Sequence, residues 1–142
     1  MGFVFQKDYP VSNHKDKNRT IIPLSKIPKN VQLATLAAED AEFYNHPGFS
    51  VKGISRAVIS NYNKGSLQGG STITQQLVKN VLLTPEKTIT RKIKELILSI
   101  EVEARYSKEQ ILEMYMNEVS YGGTAYGIEE ASESYFGKSA EE

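Results

Sequence analysis

Glu39-Asp40 ends a run of small and apolar residues, Leu33-Ala34-Thr35-Leu36-Ala37-Ala38. On a helix this puts two carboxylates at the C-terminus, where the dipole is negative and acids are disfavoured. Partial burial would push the same way, raising a carboxyl toward the pKa of a useful general base. The plainer alternative is a last-turn acid pointing into water. Glu95 is the second acid of interest. It shares one side of a long helix with Arg91, Leu98 and Val102 and so faces protein or a cleft rather than bulk water. With Arg91 it forms an i,i+4 pair, worth about a few tenths of a kcal/mol if it does nothing more. Two carboxylates in covered settings on a small helical chain suit glycosidic chemistry, as acid, base or nucleophile.

Between these acids lies a segment of different character. At 100° per residue, Ser71, Thr72, Gln75, Gln76, Lys79 and Asn80 share one half of a helical wheel. Ile73, Thr74, Leu77, Val78, Val81 and Leu82 take the other half. The polar half holds one charge and several neutral hydrogen-bonding groups, whereas solvated faces are usually filled with Glu and Lys. It is either a plain polar surface or a wall turned to a ligand. Gly69-Gly70 precede it, so free N–H groups and the positive dipole end would favour an anion there. Lys87, Arg91, Lys92 and Lys94 make the start of the next helix basic, with Lys79 close in sequence: a solvated charge run or a phosphate site. Gly65 and Gly70 have P-loop spacing, but Ser71 stands where the lysine is required and no strand precedes the loop, which argues against a nucleotide site.

The elements that must hold these groups read as helices. Ser25-Lys26-Ile27-Pro28 predicts a helix start with proline in the first turn, running to about Asp40. A loop spans Phe43–Gly48, a second helix roughly 51–63, and Lys64–Gly70 is a glycine-rich loop. The third helix runs from Ser71 to about Leu83. Thr84-Pro85 predicts the cap and first residue of a long helix to about Arg105, with a core stripe of Ile89, Ile93, Leu96, Ile97, Ile100 and Ala104. Ser107 and Gln110 form a capping box for a helix to about Val119. Tyr121-Gly122-Gly123 breaks it, and a last helix runs from about Thr124 to Phe136, ended by Gly137. Residues 1–20 are polar and without period, an arm with a short strand near Ile21-Ile22. The expected class is all-α, with one core domain over 21–142.

Composition narrows the function. The 142 residues suit one domain, long enough to bury roughly 68–70% of its unfolded surface. Lys+Arg and Asp+Glu both number 17, which argues against a protein built to coat nucleic acid. There is no cysteine, which excludes disulfides, thiolate nucleophiles and Cys-ligated metals. The two histidines, His14 and His46, lie too far apart to suggest a His-rich metal site. No stretch reaches the about 20 apolar residues that span a bilayer.

The motifs also resemble a known family. Glu39-Asp40-Ala41-Glu42-Phe43-Tyr44-Asn45-His46-Pro47-Gly48 is similar to the first motif of the peptidoglycan glycosyltransferases, glycosyltransferase family 51, which runs Glu-Asp-x-x-Phe-x-x-His-x-Gly. Gly70-Ser71-Thr72-Ile73-Thr74-Gln75-Gln76 resembles the second, Gly-x-Ser-Thr-x-x-Gln-Gln. Arg91-Lys92-Ile93-Lys94-Glu95 resembles the third, and Lys108-x-x-Ile111-x-x-x-Tyr115-x-Asn117 the fourth. The resemblance covers about residue 20 to the end.

The resemblance implies a lysozyme-like, mainly helical fold and polymerisation of lipid II at the extracytoplasmic face of the bacterial cytoplasmic membrane. Glu39 would be the base that deprotonates the acceptor's GlcNAc 4-hydroxyl. That oxygen attacks C1 of the donor's MurNAc with inversion, and undecaprenyl pyrophosphate leaves. Lys79, Lys87 and Arg91 would meet the developing charge, with Arg56 near the donor. Glu95 would orient those cations or help hold a divalent metal, Mg or Mn; no cofactor is otherwise implied. Ser71, Gln75, Gln76 and Asn117 would line the donor site, Asp40 would support Glu39, and His46 would be a loop hydrogen-bonder. Implied partners are lipid II, the glycan strand, the membrane surface and moenomycin-type phosphoglycolipids. The family's fifth motif and its membrane anchor lie outside the chain, so a domain truncated at its C-terminus is expected. The rival readings are a lysozyme-type hydrolase and a non-catalytic module that binds lipid II or phosphoglycolipids.

Overall fold

A computed structural model describes residues 20–55 and 70–142. The described residues are mainly helical, with α1 (Lys29–Glu39), α2 (51–55), α3 (Ile73–Leu82), α4 (Ile89–Arg105), α5 (Lys108–Glu118) and α6 (Ile128–Phe136). Single 3₁₀ turns at Leu24–Lys26 and Phe43–Asn45 flank α1. The N-terminal arm, Arg56, the rest of the second helix and most of the glycine-rich loop lie outside the described residues.

The helix starts differ from expectation for local reasons. α1 does not begin at Ser25, because Ile27 precedes proline and takes an extended conformation (φ −79°, ψ 123°). Pro28 then occupies the cap position and Lys29 opens the helix. α3 begins at Ile73 rather than Ser71, with Thr72 and Gln75 forming a reciprocal capping box. α4 begins at Ile89, not after Thr84, since the hydroxyl of Thr88 accepts the Arg91 N–H and fixes the cap there. α6 begins at Ile128 rather than Thr124. Its cap, Gly127, has φ +83°, and a Cβ there would lie 2.6 Å from the carbonyl oxygen of Asn117, so glycine alone fits. The Ser107–Gln110 capping box and the left-handed Gly137 cap are where the spacing put them.

α3 packs between α4 and α5. Ile73, Leu77 and Val78 of α3 meet Ile111, Leu112 and Met116 of α5, and Phe43 joins them fully buried. Each such side chain contributes roughly 1.5–3 kcal/mol relative to exposure.

α4 turns the other way from the predicted core stripe. Ile89, Ile93, Ile97 and Ile100 are exposed, as is Ala104, while Leu96 is only partly covered. Glu95, Ser99 and Val102 face inward instead. The reason lies in what α3 and the 43–48 loop present to α4. Thr74 of α3 donates its hydroxyl to Glu103, and the backbone at Gly48 lies against Ser99, so the inward surface is matched to polar and small partners.

The expected strand at Ile21-Ile22 is a single extended segment. Its N–H and C=O are both taken by the side-chain amide of Asn117, at 3.0 and 2.9 Å. Among the described residues the one β-bridge joins Ser120 and Tyr126.

Candidate active site

Glu39 is the last residue of α1 and is exposed, so the partial burial expected of it is absent. Its Oε2 accepts from Gln76 Nε2 at 3.0 Å. The hydroxyl of Tyr115 donates to Gln76 Oε1 at 3.1 Å, which leaves the amide nitrogen to face the carboxylate. Glu39 opens onto a cleft of about 240 Å³ whose lining includes Ala38, Glu42, Ser50, Gly70, Ser71 and Thr72. One end of a helix thus presents a carboxylate across from the start of another.

Asp40 plays a separate part. His46 Nε2 sits 2.8–2.9 Å from both its oxygens, and Oδ2 also accepts the Ile73 N–H at 3.0 Å. Gly48 N–H donates to His46 Nδ1, so in the neutral ring the proton lies on Nε2 and points at Asp40. The anion expected at the N-terminus of α3 is therefore the chain's own Asp40, at the positive end of the dipole. Thr72 closes the arrangement by donating to the Gly48 carbonyl at 2.7 Å.

The far wall is cationic. Lys92 Nζ donates to Ser71 Oγ at 3.1 Å and pairs with Glu95 Oε1. Arg91 Nη1 lies 3.8 Å from Glu95 Oε2. Glu95 is 1% exposed, yet Oε2 and the Nε of Arg91 lack hydrogen-bond partners among the described residues. Arg91 also lines a second cavity of about 460 Å³ with Leu82, Leu83, Thr88 and Lys94. A carboxylate set against an ammonium and a guanidinium does not fit a divalent ion, which wants several oxygen donors. Among the described residues no group of three His, Cys, Asp or Glu could hold one.

Two phenols feel the charge of this site, Tyr115 in contact with it through Gln76 and Tyr121 nearby. Burial pushes Tyr121 up to about 12, helped by the negative charge of Glu39, and its hydroxyl has no hydrogen-bond partner among the described residues. Burial and then Glu39 raise Tyr115 further. Both remain neutral at ordinary pH.

The structure brings Glu39 and Ser71 to one cleft, with Gln76 bonded to Glu39, and links Arg91 and Glu95 to Ser71 through Lys92. Lys79 and Lys87 are exposed. Two expected donor-site residues have other tasks: Gln75 is 2% exposed and closes the α3 capping box, and Asn117 is 1% exposed and holds Ile22. Sequence reasoning placed Lys92 in the basic run read as a solvated charge run or a phosphate site, and its i,i+3 spacing to Glu95 was the signal for a closer role. Tyr115 was missed as a site residue and carried no signal besides its motif.

Comparison with known proteins bears on the whole chain. A family model described as Transglycosylase matches residues 7–142. Penicillin-binding protein 1A of Clostridium tetani is 48% identical over 132 residues, covering 89% of this chain and 17% of that protein. Penicillin-binding protein 1F of Bacillus subtilis is 45% identical over 136 residues, 95% of this chain and 19% of its own. Penicillin-binding protein 1A of Aquifex aeolicus is 47% identical over 123 residues, 86% and 17% respectively. The chain spans less than a fifth of the length of these relatives.

Proposed function

The chain belongs to the transglycosylase family, and from that premise we propose that it polymerises lipid II into β-1,4-linked glycan. In this reading the acceptor's GlcNAc 4-hydroxyl gives its proton to Glu39 while its oxygen bonds to C1 of the donor's MurNAc. The C1–O bond to undecaprenyl pyrophosphate breaks with inversion, and the leaving group takes the electron pair. The observation that carries the proposal is one exposed carboxylate, steadied by the Gln76 amide, across a cleft from Ser71.

Charge grows on the pyrophosphate as the bond breaks, and cations held in place stabilise it without reorganising. Arg91, its guanidinium 3.8 Å from the buried Glu95 and its side chain partly open at 16% exposure, is proposed for that role. Lys92 is already on Ser71. Lys79, Lys87 and Arg56 are proposed as further cations for the same group, and Glu95 as the carboxylate that orients Arg91 and Lys92. The polyprenyl tail would confine the reaction to a membrane surface, which we place at the extracytoplasmic face. A moenomycin-type phosphoglycolipid would present its phosphate to the same cations. Among the described residues no helix is long and apolar enough to cross a membrane.

The test is incubation with labelled lipid II and separation of products by gel, beside Glu39→Gln. The expected result is polymer from the native chain and a loss of about 10²–10⁴-fold in the variant, with phosphoglycolipid binding retained. Equal polymerisation by both would overturn the base assignment, and shortened glycan in place of polymer would turn the reading to a hydrolase.

A further inference from the structure

One ammonium group outside the cleft joins three parts of the fold that carry the site. Lys108, at the start of α5, donates to the His46 carbonyl at 2.7 Å and to Glu103 Oε1 at 2.8 Å. Its Nζ also lies 4.5 Å over the ring of Phe43, which is fully buried. The same Glu103 oxygen accepts the Thr74 hydroxyl from α3 at 2.6 Å. The side chains of Lys108 and Glu103 are 19% and 9% exposed, so this is not one of the loose surface pairs that contribute little.

The connections lead to both walls of the cleft. His46, held at its carbonyl by Lys108, carries the imidazole that Asp40 receives, and Asp40 is bonded to Glu39 in the chain. Thr74, held by Glu103, sits in the first turn of α3, beside Thr72 and Ser71. Gly48 seals the join: at φ +95° its position has no room for a Cβ, which would meet Glu103 Cγ at 2.8 Å. None of Lys108, Glu103 or Thr74 lines the cleft.

We propose that Lys108, acting through Glu103 and the His46 carbonyl, is a positioning residue that sets the distance between Glu39 and the Ser71 wall. It rests on the glycosyl-transfer reading above. A methionine at 108 keeps the packing on Phe43 but loses both donated bonds, uncoupling the 43–48 loop from Glu103 and leaving Glu103 held by Thr74 alone. An arginine keeps donors for both oxygens and a flat cation for the ring.

The experiment is steady-state lipid II polymerisation by the native chain, Lys108→Met, Lys108→Arg and Glu103→Gln, with thermal melts of each. Misplacing reacting groups by about 1 Å costs up to about a hundredfold. The expected result for Lys108→Met is a fall in kcat of roughly tenfold to a hundredfold, KM within about twofold and an intact cooperative melt. Lys108→Arg should recover most of the loss. Should Lys108→Met fail to fold, Glu103→Gln carries the test, with a smaller fall in kcat at constant KM. Native rates in the folded variants, or losses that track only the folded fraction, would overturn the positioning role. No polymer from the native chain would instead overturn the functional reading, and is told apart by that control.

Discussion

Along α4 the inner face carries Glu95, Ser99 and Val102 at 1%, 0% and 8% exposure, and the outer face carries Ile89, Ile93, Ile97 and Ile100 at 82%, 54%, 59% and 46%. The helix is amphipathic in the ordinary sense, but it is mounted with its more apolar side outward. Each inward group answers a neighbour. Glu95 meets Lys92 and Arg91, and the Ser99 hydroxyl returns to the Glu95 carbonyl at 2.6 Å, leaving a smooth surface for the backbone near Gly48. Periodicity reports that a helix has two faces. Which one is buried depends on what the neighbouring elements bring to it, and here they bring a site.

Replacing the smallest inward group should hurt most. Ser99→Leu puts a branched side chain where the Gly48 loop lies, and overpacking of this kind costs about 1–3 kcal/mol. Urea unfolding should show that loss, and an unchanged midpoint would mean the inner face is loosely packed. A second, smaller effect comes from another polar group turned inward, Tyr121. Its folded pKa of about 12 exceeds the ordinary value of 10.0, so it favours the fold fully below about pH 10. Between about pH 10 and 12 the unfolded chain loses the proton first and stability falls. Tyr121→Phe should make that alkaline decline shallower, and an identical slope would show that its hydroxyl is not held away from water. The smallest effect belongs to the outer face. Ile97→Gln should shift stability by no more than about 0.5 kcal/mol; a loss of several times that would mean the isoleucine ridge is packed after all.

Much of the site was readable from residue types. The carboxylates at 39 and 40 end α1 as their apolar approach suggested, and Glu95 is buried as its flanking Leu98 and Val102 implied. What was not readable depended on partners far along the chain. Asp40 fills the anion position at the start of α3, thirty-three residues on, so the first N–H of the helix, that of Ile73, is already used. Gln75 looked like part of a polar wall, but the capping box that claims it requires knowing that Thr72 is the cap of the helix. Proline at 28 displaced one helix start and the Thr88 hydroxyl another, both by local rules that compete with equally plausible ones nearby.

The pairing of Ile22 with Asn117 has a kinetic consequence. The amide that satisfies both backbone groups of Ile22 is presented by the last turn of α5, ninety-five residues away. Until that turn has formed, the backbone groups of Ile22 lack this partner, and closing so long a loop is entropically costly before any contact rewards it. Docking of this strap is therefore a late event in folding. By the same logic it is the first piece released when the end of α5 frays, and its amide protons should exchange with solvent ahead of those in the α3–α5 core.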